Sequence, residues 1–271
     1  MTALDPAPRY RSRIAIYHHP LAGRPVLWHV LSAVMGVEPA PESILLLHRA
    51  DSTPSLPPNT VVPIALEAVD DGMELQAIRR AVGLAGTSLL VDGGTPLLES
   101  SSMLRLLRAA EAGVAALGDA RQGGTPVAVA GEGLALAALD DPRQPDEIGP
   151  LAPTNEEELL RLDDRAKFTT AGVLMRDRIV RRHQDQGVSF MLPETNWIDV
   201  DVTIGPDTLL YPGVLLEGLT EIGSECVIGP HCRIVESRIG RGVELKGWNY
   251  VTHTSIRNHA VLDPYVRRGY E

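Results

Sequence analysis

From residue 198 to residue 262 an aliphatic side chain returns at nearly every sixth position of this 271-residue chain. The series is Ile198, Ile204, Leu210, Leu216, Ile222, Ile228, Ile234, Ile239, Leu245, Val251, Ile256 and Leu262, with two steps of five. Small or β-branched residues stand four places after most of them: Val202, Thr208, Val214, Thr220, Cys226, Cys232, Val243 and Ala260. An amphipathic helix needs a period near 3.6 and a half-buried strand a period of two, so six fits neither. Six fits a chain in which each short strand turns a corner and stacks on the coil below. The pattern predicts a parallel β-helix of hexapeptide repeats over residues 191–271, with three strands per turn and about four coils.

Residues 1–153 are of a different kind. Short apolar runs at 13–17, 43–47, 88–92 and 126–130 read as buried strands, and 25–34, 73–85 and 101–113 as helices between them. Strands alternating with helices predict an α/β domain with a mostly parallel sheet. Pro-rich stretches at 51–63 and 140–153 read as loops. Residues 154–190 read as a linker and a long helical arm. The helix is expected over 164–186, with Asp164 as N-cap and Gly187 as stop. Thr169, Thr170 and Gly172 weaken its middle and predict a kink or break.

Aromatic residues make up only 4% of the chain, so Ala, Val, Leu and Ile must build the cores. A formal charge of −10 repels phosphate-rich partners, and nucleic acid is not expected. No apolar run has the length of a membrane span, and the first residues lack the apolar stretch of a secretory signal. The expected setting is therefore the cytoplasm. Cys226 and Cys232 read as reduced core residues rather than a disulfide or metal site. His183 is expected on a polar arm, and His231, His253 and His259 at solvated ladder corners. Trp248-Asn249-Tyr250, the dense aromatic group of the ladder, reads as a bulged face or a contact with another subunit.

Three segments together carry a resemblance. The first is His19-Pro20-Leu21-Ala22-Gly23-Arg24-Pro25 followed by Leu27-Trp28-His29-Val30. The second is Asp163-Asp164-Arg165, the long helix, and Gly187-Val188-Ser189-Phe190 running into Ile198-Asp199. The third is the ladder itself, from Val202-Thr203-Ile204-Gly205 through Leu210-Tyr211-Pro212-Gly213-Val214 to Ile228-Gly229-Pro230. They resemble the bifunctional N-acetylglucosamine-1-phosphate uridylyltransferase/glucosamine-1-phosphate acetyltransferase family. The resemblance implies a shortened Rossmann-like nucleotidyltransferase-type domain, a helical arm, and a left-handed β-helix that trimerises.

The resemblance also implies sites, and the chain departs from each. Uridylyl transfer in the family uses a Gly-rich loop, because only a bare backbone comes close enough to aim its N–H groups at phosphate oxygens. Aligned back from His19, the loop glycines fall on Asp5 and Ala7 and the loop lysine on Ile16, and residues 1–22 contain no glycine. Arg9 and Ser12 coincide with family residues, and Gly23 lies in the turn behind them, so these three are the implied nucleotide-binding relics. Gly93-Gly94-Thr95-Pro96 stands where the family has its metal-binding Asp, leaving Asp92 two residues away. Asp163 aligns with the second ligand, and a Mg²⁺ ion would need such oxygen donors. Asp71-Gly72-Met73-Glu74 stands where a uracil-binding segment is expected. Pro264-Tyr265-Val266-Arg267-Arg268-Gly269 resembles the stretch that opens the acetyl-transfer site, which makes Arg267 a sugar-phosphate candidate. The coils that would bring the acetyl-transfer base and the coenzyme A groove are not in this sequence. The expectation is a pseudoenzyme with no catalytic residues, acting as a trimeric scaffold or regulator with a possible protein partner. The alternatives are a nucleotide-sugar or sugar-phosphate binder, and a nucleotidyltransferase with an altered site.

Overall fold

The computed structural model describes residues 2–3, 15–58, 60–70, 72–83, 86–118, 126–143 and 151–269. The chain forms two compact units, one of Met1–His19 and Pro25–Ala171, the other of Pro20–Arg24 and Gly172–Glu271.

The first unit has helices α1 (Val26–Met35), α2 (Glu74–Gly83), α3 (Ser100–Ala110) and α4 (Gly133–Ala138). Its strands form two sheets. Thr2–Ala3, Ile44–Arg49 and Ile64–Val69 pair in parallel. Ala128–Glu132 runs antiparallel between Thr87–Val91 and Ala115–Leu117. The expected mostly parallel sheet is thus half right. Alternating strands and helices reveal crossovers but not the direction in which a returning strand pairs. The expected strand at 13–17 is also corrected: Ile16–His18 is a 3-10 turn, closed by His18 N–H to Ala15 at 3.0 Å and His19 N–H to Ile16 at 3.1 Å. Leu47, Val69, Ile78, Leu90, Val129 and Leu136 form one buried cluster between the elements. Buried Glu158 holds the start of α3, accepting from Glu99 N–H at 3.0 Å and from the Ser102 hydroxyl at 2.8 Å. A carboxylate suits the unpaired N–H groups of a helix start.

The second unit is the ladder. One face stacks Trp197–Ile198, Leu215–Glu217, Arg233–Val235, Tyr250–Thr252 and Arg267–Gly269. The next stacks Thr203–Ile204, Glu221–Ile222, Arg238–Ile239 and Ser255–Ile256. The third stacks Ser189–Phe190, Leu209–Leu210, Val227–Ile228, Glu244–Leu245 and Val261–Leu262. All pairs are parallel, and the chain visits the faces in rotation, a stacking that fits a β-helix. The third face begins at Ser189, ahead of the periodic residues, because Ser189 and Phe190 already pair with Leu209 and Leu210. The six-residue aliphatics point inward and are buried from Ile198 to Val251, with Ile256 partly covered in the last coil. Each fully buried Leu or Ile stabilises by roughly 1.5–3 kcal/mol. Cys226 and Cys232 are buried thiols in the same interior, not joined in a disulfide.

Corners are made by residues with positive φ in vertical columns. One column holds Gly213, His231, Trp248 and Tyr265; another holds Gly218, Glu236 and His253. The His231 ring lies where a Gly213 side chain would be, so that corner requires glycine. Rings of His231 and Trp248 sit 5.5 Å apart and those of Trp248 and Tyr265 5.6 Å apart, with Trp248 48% and Tyr265 71% exposed. The bulged-face reading of Trp248-Asn249-Tyr250 is corrected, because Tyr250 keeps register with Arg233 and Arg267. Asn249 is the interior member. Its oxygen accepts from Gly247 N–H at 3.1 Å, and its amide donates to the carbonyls of Asp263 at 2.8 Å and Val266 at 3.3 Å.

Helix α5 (Arg165–Asp185) is continuous, so the expected break is absent. Asp164 Oδ1 accepts from Lys167 N–H at 2.7 Å as the N-cap, and Gly187 ends the helix at φ +89°. Gly172 has a packing reason: an added side chain would lie 3.4 Å from the Trp197 ring. His183 is the larger correction. It is only 1% exposed, Nδ1 makes no hydrogen bond among the described residues, and Nε2 faces the Arg182 guanidinium at 3.5 Å. Burial first, and Arg182 second, lower its pKa to about 4.

Two outcomes are expected. Below pH 6.5 the unfolded chain protonates His183 while the folded chain resists down to about pH 4. Stability should therefore fall across that window by up to roughly 3 kcal/mol. Urea titrations against pH should show His183→Gln flattening this fall. Asn249→Ala should lower stability by about 1–3 kcal/mol, because it strands buried backbone groups on two coils; equal urea midpoints would contradict the bracing role.

Candidate functional site

Arg9 and Ser12 lie outside the described residues. Gly23 is well placed, though not as part of a phosphate loop. Ala22 and Gly23 turn with φ of +46° and +84°. The turn docks on the first coil, where Val200 N–H donates to the Ala22 carbonyl at 3.0 Å. A side chain on Gly23 would sit 2.6 Å from the Asp199 carboxyl carbon. Arg24 grips Asp201 with two guanidinium nitrogens, Nε at 2.7 Å. Asp199 is buried and accepts from Gly218 N–H at 2.9 Å. Burial pushes its carboxyl above the usual range, while the Gly218 N–H works the other way. Arg182 joins the group by donating to the Val200 carbonyl at 3.1 Å.

The two metal candidates lie on joined segments of the first unit. Leu162 N–H bonds the Gly94 carbonyl at 2.9 Å, which brings the Asp92 turn beside residues 161–163. Asp92 Oδ1 accepts from Gly94 N–H at 2.8 Å, and Oδ2 lies 2.6 Å from Arg161 Nε. Arg161 also donates to the Pro126 carbonyl at 3.0 Å. Asp163 Oδ2 pairs with Lys167 Nζ at 2.7 Å, one helical turn along, and Oδ1 is buried without a hydrogen bond. Among the described residues no group of three His, Cys, Asp or Glu side chains could hold a metal ion. Arg161, Lys167, Asp199 and Asp201 were not foreseen as site neighbours. Only Lys167 had a local signal, its four-residue spacing from Asp163.

Arg267 stands on the first ladder face, its guanidinium 5.3 Å from the Tyr250 ring centre. Arg233 approaches the same ring at 5.6 Å, so Tyr250 lies between two cations. Asp71 lies outside the described residues. No helix among the described residues is long and apolar enough to cross a membrane.

No family model matches the chain. Individual proteins do. The bifunctional protein GlmU of Thermoanaerobacter pseudethanolicus is 39% identical over 110 residues, 41% of this chain and 24% of that protein. GlmU of Alkaliphilus oremlandii is 40% identical over 110 residues, with the same shares. GlmU of Enterococcus faecalis is 27% identical over 317 aligned positions, 95% of this chain and 69% of that protein. The chain is therefore similar to GlmU proteins, at 39–40% identity over 110 residues and at 27% over nearly its whole length. It spans about a quarter of the length of the first two relatives in those matches. The Enterococcus match reaches beyond the ladder, so GlmU likeness extends through nearly all of the sequence.

In this GlmU-like chain the Gly23 turn has a measurable structural role. Gly23→Ala should destabilise by about 2 kcal/mol or more, from positive φ and from the clash with Asp199. Adding Asp199→Ala should remove the clash, making the double variant less damaged than the sum of the singles in chemical denaturation. Strict additivity would show that the turn does not rest on Asp199.

Proposed function

We propose that this chain is a pseudoenzyme of sugar-phosphate uridylyltransferase/acetyltransferase origin, working as a scaffold or regulator. One observation carries the proposal. The first glycine of the sequence, Gly23, and the arginine after it are committed to the first ladder coil through Asp199 and Asp201. The loop that would have to approach a nucleotide phosphate has no glycine of its own before them.

In this proposal the ladder is a left-handed β-helix that associates as a homotrimer in the cytoplasm. A stacked coil is stiff and offers repeated faces, which suits assembly. Leu215, Val227 and Val261 leave apolar side chains exposed on its outer faces. A partner, in this reading, is another protein. The rival reading, a residual binder of uridine nucleotides or sugar phosphates or an altered transferase, draws on the Enterococcus match over nearly the whole chain.

Thermal-shift titration separates the two. UTP, UDP-N-acetylglucosamine, glucosamine 1-phosphate and acetyl-coenzyme A should each leave the melting temperature unchanged, with and without Mg²⁺. A ligand at a hundred times its Kd adds about 2.7 kcal/mol to the native state and is readily seen. A dose-dependent rise with either uridine compound would overturn the pseudoenzyme proposal. Sedimentation equilibrium at the monomer mass would overturn the trimer.

A further inference from the structure

The residues that the GlmU resemblance assigns to a divalent metal do not fit one. We infer that Arg161 is a built-in counter-ion for Asp92 in place of a metal, closing the Asp92–Asp163 site to divalent cations. The inference stands whether or not a nucleotide binds.

Each oxygen of Asp92 has a neighbour, Oδ1 a hydrogen-bond donor and Oδ2 a cation in ion-pair contact without an aligned hydrogen bond. Oδ1 accepts from Gly94 N–H at 2.8 Å, and Oδ2 is 2.6 Å from Arg161 Nε. Arg161 is itself fixed by the Pro126 carbonyl, so it is not a side chain swinging through solvent. Asp163 offers no compensation. One oxygen is held by Lys167, and the other is buried without a hydrogen bond, out of reach of the solvent that an incoming ion would keep as ligands.

A Mg²⁺ or Mn²⁺ ion needs about six oxygen donors in near-octahedral array, usually several of them waters, so it needs open carboxylate oxygens facing solvent. Here each of the two candidate carboxylates faces a cation, Asp92 against Arg161 and Asp163 against Lys167. A dication entering this group would meet guanidinium and ammonium charges at contact distance. The network supplies in fixed form the positive charge that a metal supplies elsewhere, and it ties the Asp92 turn to residues 161–163.

Mn²⁺ electron paramagnetic resonance tests this on the full chain. The unaltered protein should leave the free Mn²⁺ signal undiminished up to about 1 mM, because Asp92 and Asp163 each already face a cation. Arg161→Ala, and Arg161→Gln, which keeps a donor for Pro126, should bind Mn²⁺ at least about tenfold tighter than the unaltered chain, since a repelling charge is gone. Adding Asp92→Asn should abolish the gain. Lys167→Ala, at a more exposed helix position, is a second route to the same effect through Asp163. Mn²⁺ binding by the unaltered chain that Asp92→Asn removes would overturn the inference. So would folded Arg161 variants, checked by circular dichroism, with no gain over the unaltered chain. Uridine binding without metal would defeat the scaffold proposal but leave this one intact, and Mn²⁺ binding by the unaltered chain would do the reverse.

Discussion

The ladder depends on one repeated contact, an aliphatic side chain lying on its equivalent one coil below. Ile198 carries Leu216, which carries Ile234 and then Val251, all buried and all in parallel register. The other two faces repeat it with Ile204, Ile222 and Ile239, and with Leu210, Ile228 and Leu245. Parallel pairing keeps the backbone N–H and C=O groups satisfied along each face. Corner geometry follows from the same constraint. A chain that must return to the same interior point each coil turns sharply, and it does so through residues at positive φ. Glycine takes that conformation freely, whereas Trp248 and Tyr265 take it at a steric cost of roughly 1–2 kcal/mol each, offset in part by ring stacking.

Polar groups inside this interior are braced, not scattered. Asn249 closes two coils with three hydrogen bonds. Asp199 sits under the Gly23 turn and holds Gly218 N–H of the coil above. The outward ion pairs, such as Arg238 with Glu221 and Lys246 with Asp263, are exposed and screened, and they contribute little beside the interior. The same contrast separates His183 from the corner histidines. His183 is sealed, with its proton affinity depressed, whereas His231, His253 and His259 stand at the corners where their spacing placed them.

The candidate sites were legible only as residue types. Asp92, Asp163, Gly23 and Arg267 could be picked out by alignment to a motif. Their chemistry was set by partners distant in sequence: Arg161 for Asp92, Asp199 for Gly23, and the Tyr250 ring for Arg267. A motif position says what a side chain could do, while its nearest charge decides what it does. Asp163 was the partial exception, because its cation lies one helical turn away and is visible in the sequence.

The sequence alone determined the stacked parallel ladder, its inward residues, the long helix and its two ends, and the buried state of both cysteines. These rest on periodicity and capping, which are local and survive without knowledge of the rest of the fold. Only the tertiary structure decided the antiparallel sheet of the first unit, the 3-10 turn at Ile16–His18, the interior place of His183 and Asn249, the continuity of α5, and the pairing of each candidate carboxylate. Strand direction, burial of a polar side chain and neutralisation of a charge all depend on residues far apart in the chain, and no spacing rule brings those together.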